Sequence, residues 1–330
     1  MIKKLSYIIS DSVNPYYNIG LEKQLLDSVE NDEVILYLWQ NKHTVVCGRN
    51  QNVYKECNLS KLSDDGGFLA KRLSGGGAVF HDLGNLNFTF LVSKENYCLE
   101  KQLDVICNAC KNAGINAQVT GRNDITIDGK KFSGNAFYDS GNNKYHHGTL
   151  MVSVKKEDLS KYLNVDKEKL LSKGVTSVQS RVVNLSEYNS ELDINMMKKL
   201  MINAFEQTYN LPVKEYKLSQ DDLSQINKNK EFFESSDWLY GKNIKFDYQI
   251  NKRFAWGNFD LNIESKHGII TNATIYSDAN DEAYIRAIAD NIKGSDFSYN
   301  ALAKIIDDIS KSKEQIAISE DIKKMLFEAI

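Results

Sequence analysis

Three consecutive glycines at positions 75–77 constrain this chain more than any other stretch of it. They follow Arg72 and Ser74 and lead, through residues 78–82, into the strand-forming segment 88–92. Because glycine has no Cβ, the backbone N–H groups of such a turn can close on a bulky anion. An arginine beside the turn can fork onto phosphate oxygens. The stretch therefore predicts an anion-binding loop that faces a β-sheet.

A flexible surface loop is the alternative interpretation of a glycine run. It fits less well here because the run joins two apolar segments instead of lying in a polar linker. The run is also neither of the common phosphate fingerprints. No Gly-Lys-Ser/Thr follows at P-loop spacing, and residues 75–80 lack the glycine pattern of dinucleotide-binding folds.

The charge balance argues against a nucleic-acid platform. The 330 residues contain 41 Lys and Arg against 44 Asp and Glu, a formal net charge of −3, whereas nucleic-acid binding needs a basic surface. No apolar run of 18 residues and no charged-then-apolar leader is visible, so we expect neither a membrane span nor a signal peptide. The five cysteines lack paired zinc spacing, which favours reduced thiols in a cytoplasmic protein. We expect a monomer.

The first 160 residues alternate helical and strand patterns. A helix is expected over 18–29, with Asn18 as its N-cap and with Glu22 and Lys23 on its outer side. A second helix is expected over about 99–113, ended by Gly114, and Asp128-Gly129 is a two-residue hairpin signal. The expected strands cover 34–39, 44–48, 115–119, 125–127, 132–138 and 148–154.

The second half of the chain separates into a helix, a linker and a small domain. The helix covers 195–209, and the polar stretch 217–236 is the best linker candidate. Three strands (245–250, 254–263 and 269–276, with a turn at 266–268) precede three helices near 280–293, 298–310 and 319–329. Strands followed by helices indicate an α+β unit. We therefore predict an α+β protein with a mixed-sheet catalytic domain over 1–240 and a smaller C-terminal α+β domain over 241–330.

Four further polar clusters lie in the first domain. Residues 121–124 (Gly-Arg-Asn-Asp) offer an amide and a carboxylate for a metal-bound phosphate, or form a plain turn. Lys131 lies beside apolar Phe132 in a strand, so the two face opposite sides and one of them faces the site. His146 and His147 could bind a metal, but neighbours on a strand point to opposite faces. Residues 176–182 suit a loop that covers a site.

Taken together, these motifs resemble bacterial lipoate–protein ligases of the long form, within the biotin/lipoate ligase superfamily. The resemblance runs in order from about residue 18 to 185, and the segment Arg253-Phe254-Ala255-Trp256-Gly257 also fits the long form. Its departures are Lys71, Leu73 and Asn135 at positions where the family often has other residues. The motifs that carry it are Lys71 to Asn85, Gly121 to Asp124, Lys131 to Ala136, His146 to Leu150, and Ser177 to Leu185.

The resemblance implies an enzyme that activates lipoate with Mg-ATP, holds lipoyl-AMP and transfers the lipoyl group to a lysine of a carrier domain. The implied carriers are the acyltransferase subunits of 2-oxoacid dehydrogenases and the glycine-cleavage carrier protein. Lys131 would be the catalytic clamp that bridges the lipoyl carbonyl and the phosphate, and Asp124 would bind Mg²⁺. The implied nucleotide residues are Arg72, Ser74, Gly75, Gly76, Gly77, Ala78, Val79, Phe80, Asn123 and Lys131. The implied lipoate residues are Trp39, Arg72, Val79, His81, Lys131, His147 and Gly148.

Three other functions remain as alternatives. An octanoyltransferase or lipoyl amidotransferase of the same superfamily would need a cysteine at the acyl site, and no cysteine follows Cys110. Biotin ligases have a different glycine-rich signature, and their repressor forms carry an N-terminal helix-turn-helix that is not visible here. A catalytically silent carrier-binding protein could use the same scaffold, although the Arg, Gly, Asp and Lys set is complete.

Overall fold

The computed structural model describes residues 1–121, 123–164, 181–240 and 247–329. The chain divides into two compact units. The first unit comprises Met1–Val46, Tyr54–Lys71 and Val79–Leu239, and the second comprises Cys47–Val53, Arg72–Ala78 and Tyr240–Ile330. The glycine loop thus belongs to the same unit as the C-terminal residues, and a domain division at residue 240 stays a prediction.

A mixed eight-stranded sheet forms the centre of the first unit. Its strand order is β11-β1-β2-β6-β10-β9-β8-β7. Strands β11, β1 and β2 are parallel, and every later pair is antiparallel. A small sheet has the order β4-β3-β5. The strands are β1 (Lys4–Ile9), β2 (Glu33–Trp39), β3 (Thr44–Cys47), β4 (Phe68–Lys71), β5 (Val79–His81), β6 (Asn85–Ser93), β7 (Gln118–Thr120), β8 (Asp124–Ile127), β9 (Lys130–Asp139), β10 (Asn143–Met151) and β11 (Val213–Glu215).

Helices cover both faces of the large sheet. Glu22 of the first helix reaches His147 on one face, whereas Phe205 packs on Phe90 on the other. The helices of this part of the chain are α1 (Pro15–Ser28), α2 (Val53–Glu56), α3 (Leu59–Asp64), α4 (Leu99–Asn112), α5 (Lys156–Tyr162), α6 (Ile194–Tyr209), α7 (Gln220–Glu234) and α8 (Ser236–Tyr240).

Local turn signals agree with the structure. Asp128 (φ 50°) and Gly129 (φ 75°) connect β8 to β9 with two positive-φ residues, as an Asp-Gly hairpin requires. Gly114 (φ 76°) follows the end of α4 in the left-handed conformation typical of helix C-termini. The predicted helix over 195–209 is α6, which the side chain of Asp193 caps at its N-terminus.

The start of the first helix was predicted wrongly. Helix α1 begins at Pro15, and the side chain of Asn14 caps it by accepting from the Tyr16 and Tyr17 N–H groups. Asn18 lies inside the helix, fully buried, and donates to the Gln40 carbonyl at 2.8 Å. Glu22, expected on the outer side, is 1% exposed. Asn14-Pro15 is the stronger start signal because proline is preorganised for the first helical turn.

The predicted linker at 217–236 is wrong as well. This segment contains α7, which Ser219 caps in a reciprocal capping box with Asp222. Helix α7 packs against α1, and the Asn229 amide donates to the Gly20 carbonyl at 3.1 Å. A Cβ on Gly20 would lie 3.1 Å from the Ile226 carbonyl oxygen, so glycine allows the two helices to approach closely. The helix buries few residues, and its mostly polar sequence therefore lacks the apolar periodicity by which a helix is predicted.

The C-terminal part of the second unit is an α+β fold, as predicted. An antiparallel sheet of order β12-β13-β14 precedes three helices. His267 (φ 51°) and Gly268 (φ 78°) form the turn expected at 266–268. The elements are β12 (Tyr248–Phe254), β13 (Gly257–Lys266), β14 (Ile269–Ser277), α9 (Glu282–Asn291), α10 (Tyr299–Ile309) and α11 (Lys313–Ala329).

In the part of the chain that the structure describes, no helix combines the length and the apolar character that a membrane span requires.

Candidate active site

The glycine loop is organised around the guanidinium group of Arg72. Its Nε donates to Ser74 Oγ at 3.1 Å, and its Nη2 donates to the carbonyls of Gly75 and Gly77, each at 2.8 Å. Arg72 is buried, so these bonds replace water as partners of the charge. The arginine thereby fixes the path of the loop whose N–H groups were predicted to bind phosphate.

The loop also makes close backbone contacts within its own unit. The Gly76 N–H donates to the Ala279 carbonyl at 3.1 Å, and Gly76 has a φ of 88°. A Cβ on Gly75 would lie 2.4 Å from the Ala279 carbonyl oxygen, which no real side chain tolerates. Two of the three glycines are therefore required for different reasons, one by close approach and one by backbone conformation.

Lys131 and Asp124 meet at the β8–β9 hairpin of the first unit. Lys131 Nζ lies 2.6 Å from Asp124 Oδ1, and Arg181 Nη2 lies 2.8 Å from Asp124 Oδ2. The lysine side chain crosses Gly134, where a Cβ would lie 2.7 Å from Nζ. Phe132 is fully buried and Lys131 is partly exposed. The ladder between β8 and β9 shifts register at this point, and that the two neighbours face opposite sides stays a prediction. The family motif Lys-x-x-Gly thus has a steric basis.

Asn123 stands next to this ion pair and is tied to the following strand. Its carbonyl accepts from both the backbone N–H (2.8 Å) and the side-chain amide (3.0 Å) of Asn135. Asn135, noted in the sequence only as a departure from the family pattern, therefore supports the turn that carries Asn123 and Asp124.

A buried hydrogen-bond chain connects two of the residues predicted to line the lipoate site. The Trp39 indole donates to Thr89 Oγ1 at 3.1 Å, and Thr89 Oγ1 donates to Glu22 Oε1 at 2.7 Å. The same carboxylate oxygen lies 2.8 Å from His147 Nδ1. Glu22 is thus a candidate site residue that the sequence analysis missed. Glu22 lies three residues after Ile19 and four before Leu26, both of which are buried. This helical spacing indicated that Glu22 shares their buried face.

His81 lies at the other side of Trp39. The two rings meet edge to face with centroids 6.3 Å apart, and His81 Nδ1 lies 3.2 Å from the Asn41 amide. Both aromatic residues are nearly inaccessible. An apolar wall with polar groups held by buried partners is typical of a small-molecule site.

The remaining predicted residues have structural partners of their own. Val79 and Phe80 pair with β3, and the Phe80 ring stacks on Tyr162. Ala78 is half-buried and directly precedes β5. Gly148 pairs with Asn135, and a Cβ there would lie 2.6 Å from the Gly134 carbonyl oxygen. The strands β9 and β10 therefore approach closely where Lys131 crosses.

His146 and His147 do not form a metal pair. His146 Nε2 lies 2.8 Å from Asn135 Oδ1, and its ring packs on Phe90, whereas His147 contacts Glu22 on the other face. Burial lowers the pKa of His146 to about 3. Within the described ranges there is no group of three His, Cys, Asp or Glu side chains that could hold a metal ion. The carboxylate of Asp124 lies between Lys131 and Arg181, and its assignment to Mg²⁺ stays a prediction.

Two predicted motif segments lie outside the described residues. They are Arg122 of the Gly121–Asp124 motif and residues 176–180 of the predicted covering loop. At the described end of that loop, the Val183 N–H donates to the Lys131 carbonyl at 3.0 Å.

Two family models match the parts of the chain that contain most of the large sheet, the glycine loop, the lysine hairpin and the C-terminal α+β fold. Residues 14–206 match the model of the lipoyl protein ligase A/B catalytic domain, and residues 243–326 match that of the bacterial lipoate protein ligase C-terminus. The first match covers more than half of the chain. This chain therefore belongs to the lipoate–protein ligase family, and the predictions of the family, of the fold class and of a ligase enzyme are confirmed.

Individual relatives agree over nearly the whole chain. Lipoate-protein ligase A of Psychrobacter cryohalolentis is 37% identical over 328 residues, covering 96% of both chains. The structure of Plasmodium falciparum LipL1 in complex with lipoate is similar with a TM-score of 0.84 and 30% identity, covering 98% of this chain and 99% of that one. The structure of a lipoate-protein ligase A bound with ATP has a TM-score of 0.64 at 22% identity, covering 73% and 99%, and shows the shared fold.

Proposed function

We propose that this protein uses Mg-ATP to convert lipoate to lipoyl-AMP and then transfers the lipoyl group to a lysine of a lipoyl carrier domain. The observation that carries this proposal is the Lys131–Asp124 pair, 2.6 Å apart, on a hairpin whose motifs match the family. LipL1 is known in complex with lipoate and a lipoate-protein ligase A is known with bound ATP, and we assign both ligands to this chain.

The reaction needs activation because a carboxylate is a poor electrophile. The lipoate carboxylate attacks the α-phosphorus of ATP, pyrophosphate leaves, and a mixed anhydride results. Negative charge accumulates on the non-bridging oxygens of the α-phosphate, where fixed donors stabilise it. In the second step the carrier lysine amine attacks the lipoyl carbonyl carbon, the oxygen of the tetrahedral intermediate carries the negative charge, and AMP leaves as the amide forms. Lys131 is proposed to bridge the lipoyl carbonyl and the phosphate as an electrostatic clamp. It does not act as a nucleophile.

The glycine loop is proposed to bind the nucleotide. Arg72 supplies positive charge, and the loop from Ser74 to Phe80 supplies backbone N–H groups other than that of Gly76, which donates to the Ala279 carbonyl. Asn123 is a further proposed contact. The bonds from Arg72 to two loop carbonyls support this role because they keep the loop in one shape. Mg²⁺ arrives with the phosphates of ATP and commonly takes only one or two protein carboxylates. Asp124 is the proposed ligand of this chain.

The acyl group is proposed to lie against Trp39, Val79, His81, His147 and Gly148. Burial of the two aromatic side chains and the fixed position of His147 on Glu22 support an apolar tunnel with few polar groups. The proposed acceptors are the carrier domains of 2-oxoacid dehydrogenase complexes and the glycine-cleavage carrier protein. A cytoplasmic monomer remains part of the proposal.

The test is a mass measurement on a purified carrier domain. With lipoate and ATP we expect a single lipoyl addition to one lysine, no addition when either substrate is omitted, and lipoyl-AMP as a separate product without carrier. Modification that needs no ATP would instead favour the thioester-forming acyltransferases. No modification under any condition would favour a silent carrier-binding protein.

A further inference from the structure

Asn135 and His146 form a buried polar pair behind the hairpin that carries Lys131. Side chains alternate along a strand, so Asn135 faces the opposite side of the sheet from the neighbouring Gly134, over which the lysine passes. His146 lies on the adjacent strand β10 and is fully buried. Its ring is surrounded by Phe88, Phe90 and Phe137.

The hydrogen-bonding pattern defines which ring nitrogen carries the proton. His146 Nε2 lies 2.8 Å from Asn135 Oδ1, an oxygen that can only accept. His146 must therefore donate through Nε2. Because burial lowers the pKa of His146 to about 3, the ring is neutral at physiological pH and keeps this tautomer.

The orientation of the Asn135 amide follows independently from the Asn123 carbonyl, which can only accept a hydrogen bond. With Oδ1 directed to the ring, Nδ2 points to the Asn123 carbonyl at 3.0 Å. The backbone N–H of Asn135 donates to the same carbonyl at 2.8 Å. A reversed amide would place two acceptors against each other and an N–H group against the histidine N–H.

The Asn123 carbonyl lies next to the ion-paired carboxylate. Asp124 pairs with Gly134 in the ladder, and the register shifts between Ile125 and Thr126. The pairing of Asp124 with Gly134 and Thr120 holds the carboxylate side of the turn, and the double donation from Asn135 holds the Asn123 carbonyl. Through Asp124, this restraint reaches Lys131 at 2.6 Å.

We propose that the Asn135–His146 pair is a positioning device that sets Asp124 and Lys131 for adenylate formation from the opposite face of the sheet. This inference rests on the proposed function. Neither residue is placed to contact substrate, so both act through the Asn123 carbonyl. A small displacement of a clamp can cost about 10²-fold in rate, which is the range expected when the pair is broken.

The test compares three variants by lipoate- and ATP-dependent pyrophosphate exchange. His146→Phe keeps an aromatic ring in an aromatic environment but removes the donor. Asn135→Asp keeps the shape but replaces the side-chain donor to the Asn123 carbonyl with an acceptor, while the backbone N–H of residue 135 still donates. His146→Gln supplies an N–H near the Nε2 position. We expect the first two to lose about 10- to 100-fold in kcat with little change in the KM for lipoate, and His146→Gln to remain close to wild type.

Asn143→Ala is the matched control, because Asn143 lies on the same strand and also donates its amide to a carbonyl, that of Leu26. It should keep wild-type kcat. Hydrogen exchange at the amides of 123–126 should accelerate in His146→Phe and not in the control. Wild-type kcat in His146→Phe, or equal losses in His146→Phe and His146→Gln, would overturn the inference. Wild-type protein without any exchange activity would instead overturn the proposed function.

Discussion

Lys131 Nζ lies 2.6 Å from Asp124 Oδ1, and the other oxygen of that carboxylate lies 2.8 Å from Arg181. The carboxylate thus holds the lysine head group over Gly134 before any substrate arrives. Preorganised charge is what a developing oxyanion requires, because the site need not rearrange at the moment of reaction.

Replacement of Lys131 by alanine should remove most adenylate formation and leave the fold intact. Loss of one electrostatic clamp costs on the order of 10²–10³ in rate. Lys130→Ala is the control, since Lys130 is the exposed neighbour on the same strand. Pyrophosphate exchange and circular dichroism measure the two effects. Near-normal turnover of a folded Lys131→Ala protein would rule out the clamp role.

Glu22→Ala should weaken lipoate binding more than ATP binding. The substitution leaves Thr89 and His147 without their shared acceptor, and an unsatisfied buried group costs about 1–3 kcal/mol. We expect a rise in the KM for lipoate of about 5- to 100-fold. Asp27→Ala on the exposed side of the same helix should change neither KM. Equal rises in both KM values would contradict a role at the acyl end.

Gly75→Ala should impair nucleotide binding. The added methyl would lie 2.4 Å from the Ala279 carbonyl oxygen, so the loop backbone has to move. We expect the KM for ATP to rise by about tenfold or more, in line with displaced binding groups. Gly114→Ala, which meets no atom but carries left-handed strain of about 1 kcal/mol, should lower the Tm only. An unchanged KM for ATP in Gly75→Ala would show that the loop does not contact nucleotide.

Because the pKa of His146 is lowered in the folded chain, the free energy of unfolding should decrease as the pH falls. That pKa is about 3 in the folded chain and about 6.5 when unfolded, so the unfolded state binds more protons between these values. Stability contributed by this group is complete above about pH 6.5 and declines by up to about 1.4 kcal/mol per pH unit below it. Urea unfolding should therefore show that the free energy of unfolding decreases between pH 7 and pH 5 by about 2 kcal/mol more in the wild type than in His146→Gln. Parallel losses in both proteins would refute this.

The elements that could be predicted from sequence are those set by local backbone chemistry. Asp128-Gly129 and His267-Gly268 form turns with positive φ, and Gly114 adopts positive φ just after the end of its helix. Each conformation follows from the residue types at the turn itself. The Lys-x-x-Gly spacing around Lys131 is also local, because both residues lie on one strand. Such features depend on residues within a few positions of each other.

The failures arose where burial comes from distant parts of the chain. Helix α7 looked like a linker because its few apolar residues gain a partner only when α1 is present. Glu22 looked like a surface residue because the hydrogen-bond partners of its carboxylate, Thr89 and His147, are 67 and 125 positions away in the sequence.

By itself, the sequence determined the position of the glycine loop, the turns at Asp128-Gly129 and His267-Gly268, and the motifs of a lipoate–protein ligase. Tertiary structure alone decided that Arg72 turns back onto its own loop, that Glu22 holds His147, and that Asn135 supports the lysine hairpin from behind. The physical reason is that conformational preferences act between neighbouring residues, whereas desolvated polar groups find partners only after strands and helices have packed.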